Sequence, residues 1–183
     1  MGWGKKLLIA LGAYISLNAA SIPVTYLVNQ NIDHKANTAV ISNSYSSHND
    51  TGGGGATWVI DFFMYTLITL KETLEGNSVE WYRNTSKKET LEILAKKEYQ
   101  NIVLIGHGSK STYVASDASL GSRDILKKSI TKKNGKLIKY TCNTGNGRSL
   151  REVLLKDPKK AFYLKGKVRA ITIYSSAWVN VFR

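Results

Sequence analysis

Asn101 to Ile105 reads Asn-Ile-Val-Leu-Ile, a short apolar, β-branched run with no alternation of polar residues. A run of this kind fits a strand buried on both faces, and such a strand needs a covering layer on each side of its sheet. Further candidate strands lie at Ala36 to Ser42, Ser78 to Tyr82, Lys136 to Thr141 and Val168 to Tyr174. Helical segments separate them. Ala56 to Leu74 is long and apolar (Trp58, Val59, Ile60, Phe62, Phe63, Met64, Leu67, Ile68) and ends at Gly76, a helix stop. Asn84-Thr85-Ser86 caps a helix over Lys87 to Lys97 that groups Leu91, Leu94 and Ala95 on one face. Further helices are expected over Ser122 to Ile130 and Ser149 to Leu155, and the polar alternation of Ser111 to Leu120 fits a small exposed hairpin. Strand and helix alternate, which predicts an α/β fold: a three-layer sandwich with a mainly parallel sheet between helices.

The chain has 183 residues, enough for one compact domain, and 43% hydrophobic against 21% charged residues supply a core. We place that domain at residues 31–183. Residues 1–30 form a separate N-terminal segment, in which Lys5 and Lys6 precede an uncharged stretch from Leu7 to Val28. At a rise of ~1.5 Å per residue this stretch crosses a hydrocarbon core of roughly 30 Å, as a transmembrane anchor would. Leu7 to Leu17 followed by Asn-Ala-Ala-Ser also resembles a signal-peptide core and its cleavage region. Either reading puts the domain outside the membrane, anchored or secreted (periplasmic in a bacterium), because the basic pair favours a cytoplasmic N-terminus.

A net charge of +13 makes an anionic surface a conceivable partner, with lysines clustered at positions 127, 128, 132, 133, 136 and 139 around one expected loop. A solvated basic surface is the plainer explanation, and nucleic acid is not indicated because no recognised binding motif accompanies the lysines. One cysteine excludes an internal disulfide, and His34, His48 and His107 never fall at the spacing of a zinc signature, so no metal or cofactor is expected. The Gly52 to Gly55 run leads into Ala-Thr-Trp rather than the Gly-Lys-Ser/Thr of a phosphate loop.

Parallel sheets collect their ligands at the carboxyl ends of strands. His107 and Cys142 both fall there, in the loops Gly106-His107-Gly108-Ser109 and Cys142-Asn143-Thr144-Gly145. A cysteine attacks as thiolate, and its ordinary pKa near ~8.5 means that it gains from a histidine able to take its proton or pair with it. Acyl transfer also needs donors for the developing oxyanion, and the backbone amides of Gly108 and Cys142 are the candidates. Either residue alone is more often structural, the cysteine as a small buried hydrophobe. It is their joint placement that points to chemistry.

The segments "RNTSKKETLEILAKKEYQNIVLIGHGS", "VASDASLGSRDIL" and "KLIKYTCNTGNGRSL" resemble the caspase-hemoglobinase fold of clan CD cysteine peptidases, the group of caspases, metacaspases, gingipains and legumains. In that family a capped helix precedes a hydrophobic strand ending in His-Gly, and a second strand ends in the nucleophilic cysteine. The resemblance covers about residues 36 to 182, and its specific part is the two loops. It implies His107 as acid–base, Cys142 as nucleophile, the Gly108 amide as oxyanion donor, and a protein or peptide as substrate. The caspase Gln-Ala-Cys-Arg-Gly and metacaspase Asp-Cys-Cys motifs are absent, Tyr140-Thr141 standing before the cysteine instead, so the specificity pocket does not transfer.

Asp117 and Asp124 are candidates for favouring a basic substrate residue near the cleft, although helix caps and turns explain carboxylates at such positions more often. Two other functions compete with a peptidase. One is a catalytically inactive module of the same fold that binds a membrane or anionic partner. The other is a serine hydrolase using Ser109, which lacks the GxSxG spacing of a nucleophile elbow.

Overall fold

The computed structural model describes residues 37–43 and 54–163, together with Ser16 of the N-terminal segment. The expected anchor or signal segment at 7–28 and the expected strand at 168–174 lie outside the described residues. The elements in chain order are β1 (Thr38–Ser42), α1 (Gly54–Leu74), β2 (Val79–Arg83), α2 (Lys87–Ala95), β3 (Asn101–Ile105), β4 (Thr112–Val114), β5 (Ser119–Gly121), α3 (Ser122–Lys127), β6 (Leu137–Tyr140), α4 (Leu150–Leu154), a short 3₁₀ turn (Pro158–Lys160) and β7 (Ala161–Tyr163).

Among the described residues, five strands form one sheet in the order β2-β1-β3-β6-β7, every neighbouring pair parallel. β4 and β5 form a separate antiparallel hairpin. β1 and β3 are buried along their whole length, as the unalternating apolar runs require. The alternate residues of these strands go to opposite faces. Ala39, Ile41, Ile102, Leu104 and Leu137 pack with Ile93 and Leu94 of α2, Ile125 of α3, Val153 of α4, and Tyr113 and Leu120 of the hairpin. Val40, Val103, Ile105, Ile138 and Tyr140 pack with Met64, Leu67 and Ile68 of α1. Helices therefore cover both faces, and the α/β sandwich read from the sequence is the observed architecture.

Local signals account for the element ends. Ser86 and Glu89 close a capping box, the Ser86 side chain accepting from the Glu89 amide at 3.2 Å while Glu89 accepts from the Ser86 amide at 2.7 Å. Gly76, at φ +77, ends the turn after α1, where the Asn77 amide donates to the Glu72 carbonyl at 2.8 Å. α1 also carries Glu72, 0% exposed, whose carboxylate meets the Lys136 ammonium at 2.7 Å and the Thr38 hydroxyl at 3.0 Å, locking the helix to both β1 and the start of β6. Among the described residues, no helix is long and apolar enough to cross a membrane.

Two differences from the sequence reading stand out. β7 was not expected at Ala161 to Tyr163, because three residues following a proline-led turn carry too little period-2 pattern to announce a strand. The lysine cluster also divides in the folded chain. Lys133 and Lys139 are each 3% exposed and the partly exposed Lys136 is ion-paired to Glu72, so two of the six lysines of the supposed solvated patch are internal and a third is paired.

Candidate active site

The chain visits β1 and β2 on one side, then returns past β1 to β3 and continues outward through β6 and β7, so the strand order reverses between β1 and β3. A crevice opens at such a reversal, at the carboxyl ends of the strands. Ile105, the last residue of β3, is the register partner of Tyr140, the last residue of β6. His107 and Cys142 each stand two residues beyond that pair, so matched strand ends deliver both side chains to the same edge of the sheet. His107 is exposed and Cys142 half-buried.

The loops that carry them are tied together. The Gly106 amide donates to the Tyr140 carbonyl at 3.4 Å and the Lys110 amide to the Thr144 carbonyl at 2.9 Å. The Leu150 amide, at the start of α4, donates to the Lys110 carbonyl at 3.2 Å, and the Ser111 hydroxyl to the Asn146 carbonyl at 3.2 Å. The hairpin supports the histidine loop from its other side. Val114 donates its amide to the His107 carbonyl at 3.0 Å, and Gly108 bridges to Tyr113. The buried Tyr113 hydroxyl is shared between the Ile41 and Ile105 carbonyl oxygens, at 3.0 Å from each, which fixes the hairpin over the ends of β1 and β3.

Gly108 has a packing reason to be glycine that the sequence did not disclose. A Cβ built there falls 2.7 Å from the Thr112 carbonyl oxygen, closer than real Cβ atoms come, and a tight 3.2 Å from the Thr141 hydroxyl. On its Cβ side Gly108 is therefore packed against the protein's own hairpin and the residue preceding Cys142. The residue after the histidine thus abuts the residue before the cysteine.

The remaining sequence candidates have defined partners. Asp117 accepts the Lys87 amide at 2.7 Å and so caps α2 from across the chain. Asp124 accepts the Gly121 amide at 2.8 Å at the start of α3 and pairs with the Lys87 ammonium at 3.0 Å; the Gly121 amide first and then Lys87 hold its pKa below the usual carboxylate value. Both carboxylates do the capping work that the sequence reading ranked first. The Ser109 hydroxyl lies 2.8 Å from that of Thr112, inside the turn that closes the histidine loop. Beside the Cys142 loop, an open depression of about 730 Å³ is lined by Ser111, Arg123, Asp124, Lys127, Gly147 and Arg148 among others, so its wall carries more positive than negative charge.

Sequence reasoning missed Lys139. It sits inside β6, 3% exposed, and its ammonium donates to the Ser109 carbonyl of the histidine loop. A charged residue inside an otherwise apolar strand, Leu-Ile-Lys-Tyr, was the available signal, and grouping it with the neighbouring loop lysines obscured it.

No family model and no curated protein sequence matches the chain. Solved structures do resemble it. Caspase-1 from Spodoptera frugiperda aligns at TM-score 0.49 with 11% identity, over 83% of this chain and 70% of that one. The pro-sf-caspase-1 structure aligns at TM-score 0.44 with 10% identity, over 65% of this chain and 56% of that one. The chain thus spans little more than half the length of the second structure.

Proposed function

We propose that this protein is a cysteine peptidase, exported or membrane-anchored through residues 7–28, that cleaves peptide bonds in a protein or peptide substrate through a thioester on Cys142. The reading is supported by one observation above the others: two paired central strands end in register, one followed two residues later by His107 and the other by Cys142. Locally bonded loops hold that relation at the sheet's carboxyl edge.

His107 takes the Cys142 thiol proton, and the thiolate attacks the substrate carbonyl carbon. The carbonyl oxygen becomes an oxyanion facing the Gly108 and Cys142 amides. Collapse of the tetrahedral species breaks the C–N bond, with His107 returning the proton to the leaving amine. Water, deprotonated by His107, then attacks the thioester, freeing the carboxylic product and regenerating the thiol.

The test is labelling of the full chain with a peptidyl acyloxymethyl ketone, with Cys142→Ala and His107→Ala as controls. Saturable labelling that Cys142→Ala abolishes and His107→Ala slows by about 10²-fold or more is expected. Labelling no faster than that of a free thiol peptide and unchanged in His107→Ala overturns the proposal.

A further inference from the structure

Because the described strands of the five-stranded sheet are all parallel, their first residues, Thr38, Val79, Asn101, Leu137 and Ala161, share one edge. The loops 96–100, 128–136 and 155–160 enter that edge, and hydrogen bonds lace them into one face. The Lys133 amide donates to the Leu154 carbonyl at 2.7 Å and the Lys156 amide to the Lys133 carbonyl at 3.0 Å. The Lys133 ammonium donates to the Lys96 carbonyl at 2.6 Å, and the Asn134 amide to the Gln100 side-chain carbonyl at 3.2 Å.

Lys97, Lys128, Lys132, Lys156, Lys159 and Lys160 are exposed on this face, and among the described residues none of them is in an ion pair. Glu98 and Asp157 are the acidic residues of these loops, and the Asp157 carboxylate accepts the Lys159 amide at 3.0 Å. Glu75, before β2 on the same edge, is taken by Lys71 and Lys136. The described loops that leave the opposite edge, 84–86, 106–111 and 141–149, carry only two lysine or arginine residues, Lys110 and Arg148, and no carboxylate. Positive charge is therefore gathered at one end of the strands, where it repels itself and where a layer of anions relieves the repulsion.

The chain also enters the sheet at this edge. β1 begins at Thr38, and the nine residues 29–37 that separate it from Val28 span at most about 30 Å even when fully extended. A segment 7–28 held in a bilayer thus keeps the basic face beside that bilayer. His107 and Cys142 stand at the other edge, roughly 17 Å along five-residue strands. Among the described residues no aromatic side chain is exposed in the three loops for nucleic-acid bases to stack on, so the face offers charge without a stacking platform.

We propose that this edge is a membrane-docking face: Lys97, Lys128, Lys132, Lys156, Lys159 and Lys160 rest on the anionic phospholipid headgroups of the bilayer that residues 7–28 enter, and the Cys142 edge faces away from it toward solution. The inference rests on the anchoring part of the reading above and is independent of peptide cleavage.

The test is a lysine footprint of the full chain reconstituted in phosphatidylcholine vesicles and in vesicles a third of whose lipid is phosphatidylglycerol. Acetylation by membrane-impermeant sulfosuccinimidyl acetate is read site by site by mass spectrometry, relative to Lys88, which is exposed near the start of α2 at the opposite edge. The six lysines are expected to react at least about fivefold more slowly on the anionic vesicles, and the protection is expected to vanish in about 1 M NaCl, where the screening length falls to ~3 Å. Equal relative rates on the two vesicles, or protection that survives the salt, overturns the proposal.

The paired substitution Lys156→Glu and Lys159→Glu, both on the exposed surface, is expected to abolish protection of Lys128 and Lys132, whereas Lys156→Arg with Lys159→Arg retains it. Unchanged protection in the glutamate variant overturns the proposal. Protection by duplex DNA at the same salt, with none by the anionic vesicles, assigns the face to nucleic acid and overturns it equally. Flotation of the full chain separates this inference from the reading it rests on. A chain that floats with both vesicles but shows no footprint keeps the anchor and loses the docking face, and one that floats only with the anionic vesicles and shows the footprint keeps the face and loses the anchor.

Discussion

Gly108→Ala tests the central geometric claim, that the histidine loop is pressed against the hairpin and the end of β6. The added Cβ would lie 2.7 Å from the Thr112 carbonyl oxygen, whereas ordinary contact begins at 3.4 Å, so the backbone must yield by about 0.7 Å. The obstructing atom cannot swing aside like a side-chain tip. It belongs to β4 and accepts the Ser109 amide at 3.1 Å, so yielding also loosens the turn that closes the loop. Overpacking of this kind costs about 1–3 kcal/mol, and in a domain of this size about 2 kcal/mol lowers Tm by roughly 4–8 °C. Thermal melts followed by circular dichroism measure it. Gly145→Ala is the control: its φ of +90 strains any alanine, but nothing lies within 4 Å of the added methyl, so it isolates backbone strain of about 1 kcal/mol from collision. Ketone labelling of Cys142 should also fall in Gly108→Ala, since the proposed oxyanion amide moves with the loop. A Gly108→Ala protein that melts within about 1 °C of the wild type would refute the close approach of the two loops.

Asn43→Ala should destabilise by about 2 kcal/mol in urea denaturation, because Asn43 is 0% exposed and its side chain accepts the Thr85 amide at 2.7 Å, leaving that donor without its partner on truncation. Lys136→Met should cost about 3 kcal/mol at pH 7 by leaving the buried Glu72 carboxylate uncompensated. The Lys136 pKa is raised, burial pulling it down but Glu72 and Glu75 outweighing burial, so the ion-pair contribution is complete below about 10.5 and is lost as pH rises through the folded value. The gap between variant and wild type should therefore close in strong alkali, and an unchanged gap at pH 11 to 12 would contradict the assignment. Lys139 has the opposite sign. Its folded pKa is depressed to about 8, the unfolded chain binds more protons between there and about 10.5, and wild-type stability should rise with pH across that window. Lys139→Met should consequently be about 1 kcal/mol more stable than the wild type at pH 7, an advantage that disappears by pH 10.5 in matched urea titrations, and a clear loss of stability at pH 7 would contradict the reading of a buried, costly charge.

Much of the architecture was legible in the sequence because it is written in short windows. The unalternating Asn-Ile-Val-Leu-Ile run became the central strand β3 without a shift in its ends, and the Ser86 capping box and Gly76 stop fixed helix ends through contacts a few residues apart. Helices ran shorter than expected where side chains from elsewhere took over: α3 ends at Lys127 rather than Ile130, whose side chain turns into the core. The positions of His107 and Cys142 past strand ends were also local facts, since apolar run and glycine loop are contiguous.

What the sequence by itself determined was therefore the strand–helix alternation and the delivery of an imidazole and a thiol to strand termini. Tertiary structure alone decided which strands are neighbours, and from that everything that depends on neighbours. The register of Ile105 with Tyr140 puts the two termini side by side, the packing of Gly108 on Thr112 and Thr141 brings the loops into contact, and Asp117 and Asp124 receive their capping partners. Lys139 makes the distinction sharpest: periodicity places it in a strand, but only the two strands and the loop that enclose it make its ammonium a buried charge bound to the Ser109 carbonyl. Propensity and pattern act along the chain, whereas desolvation and Coulomb energy act through space, between groups that the chain alone leaves far apart.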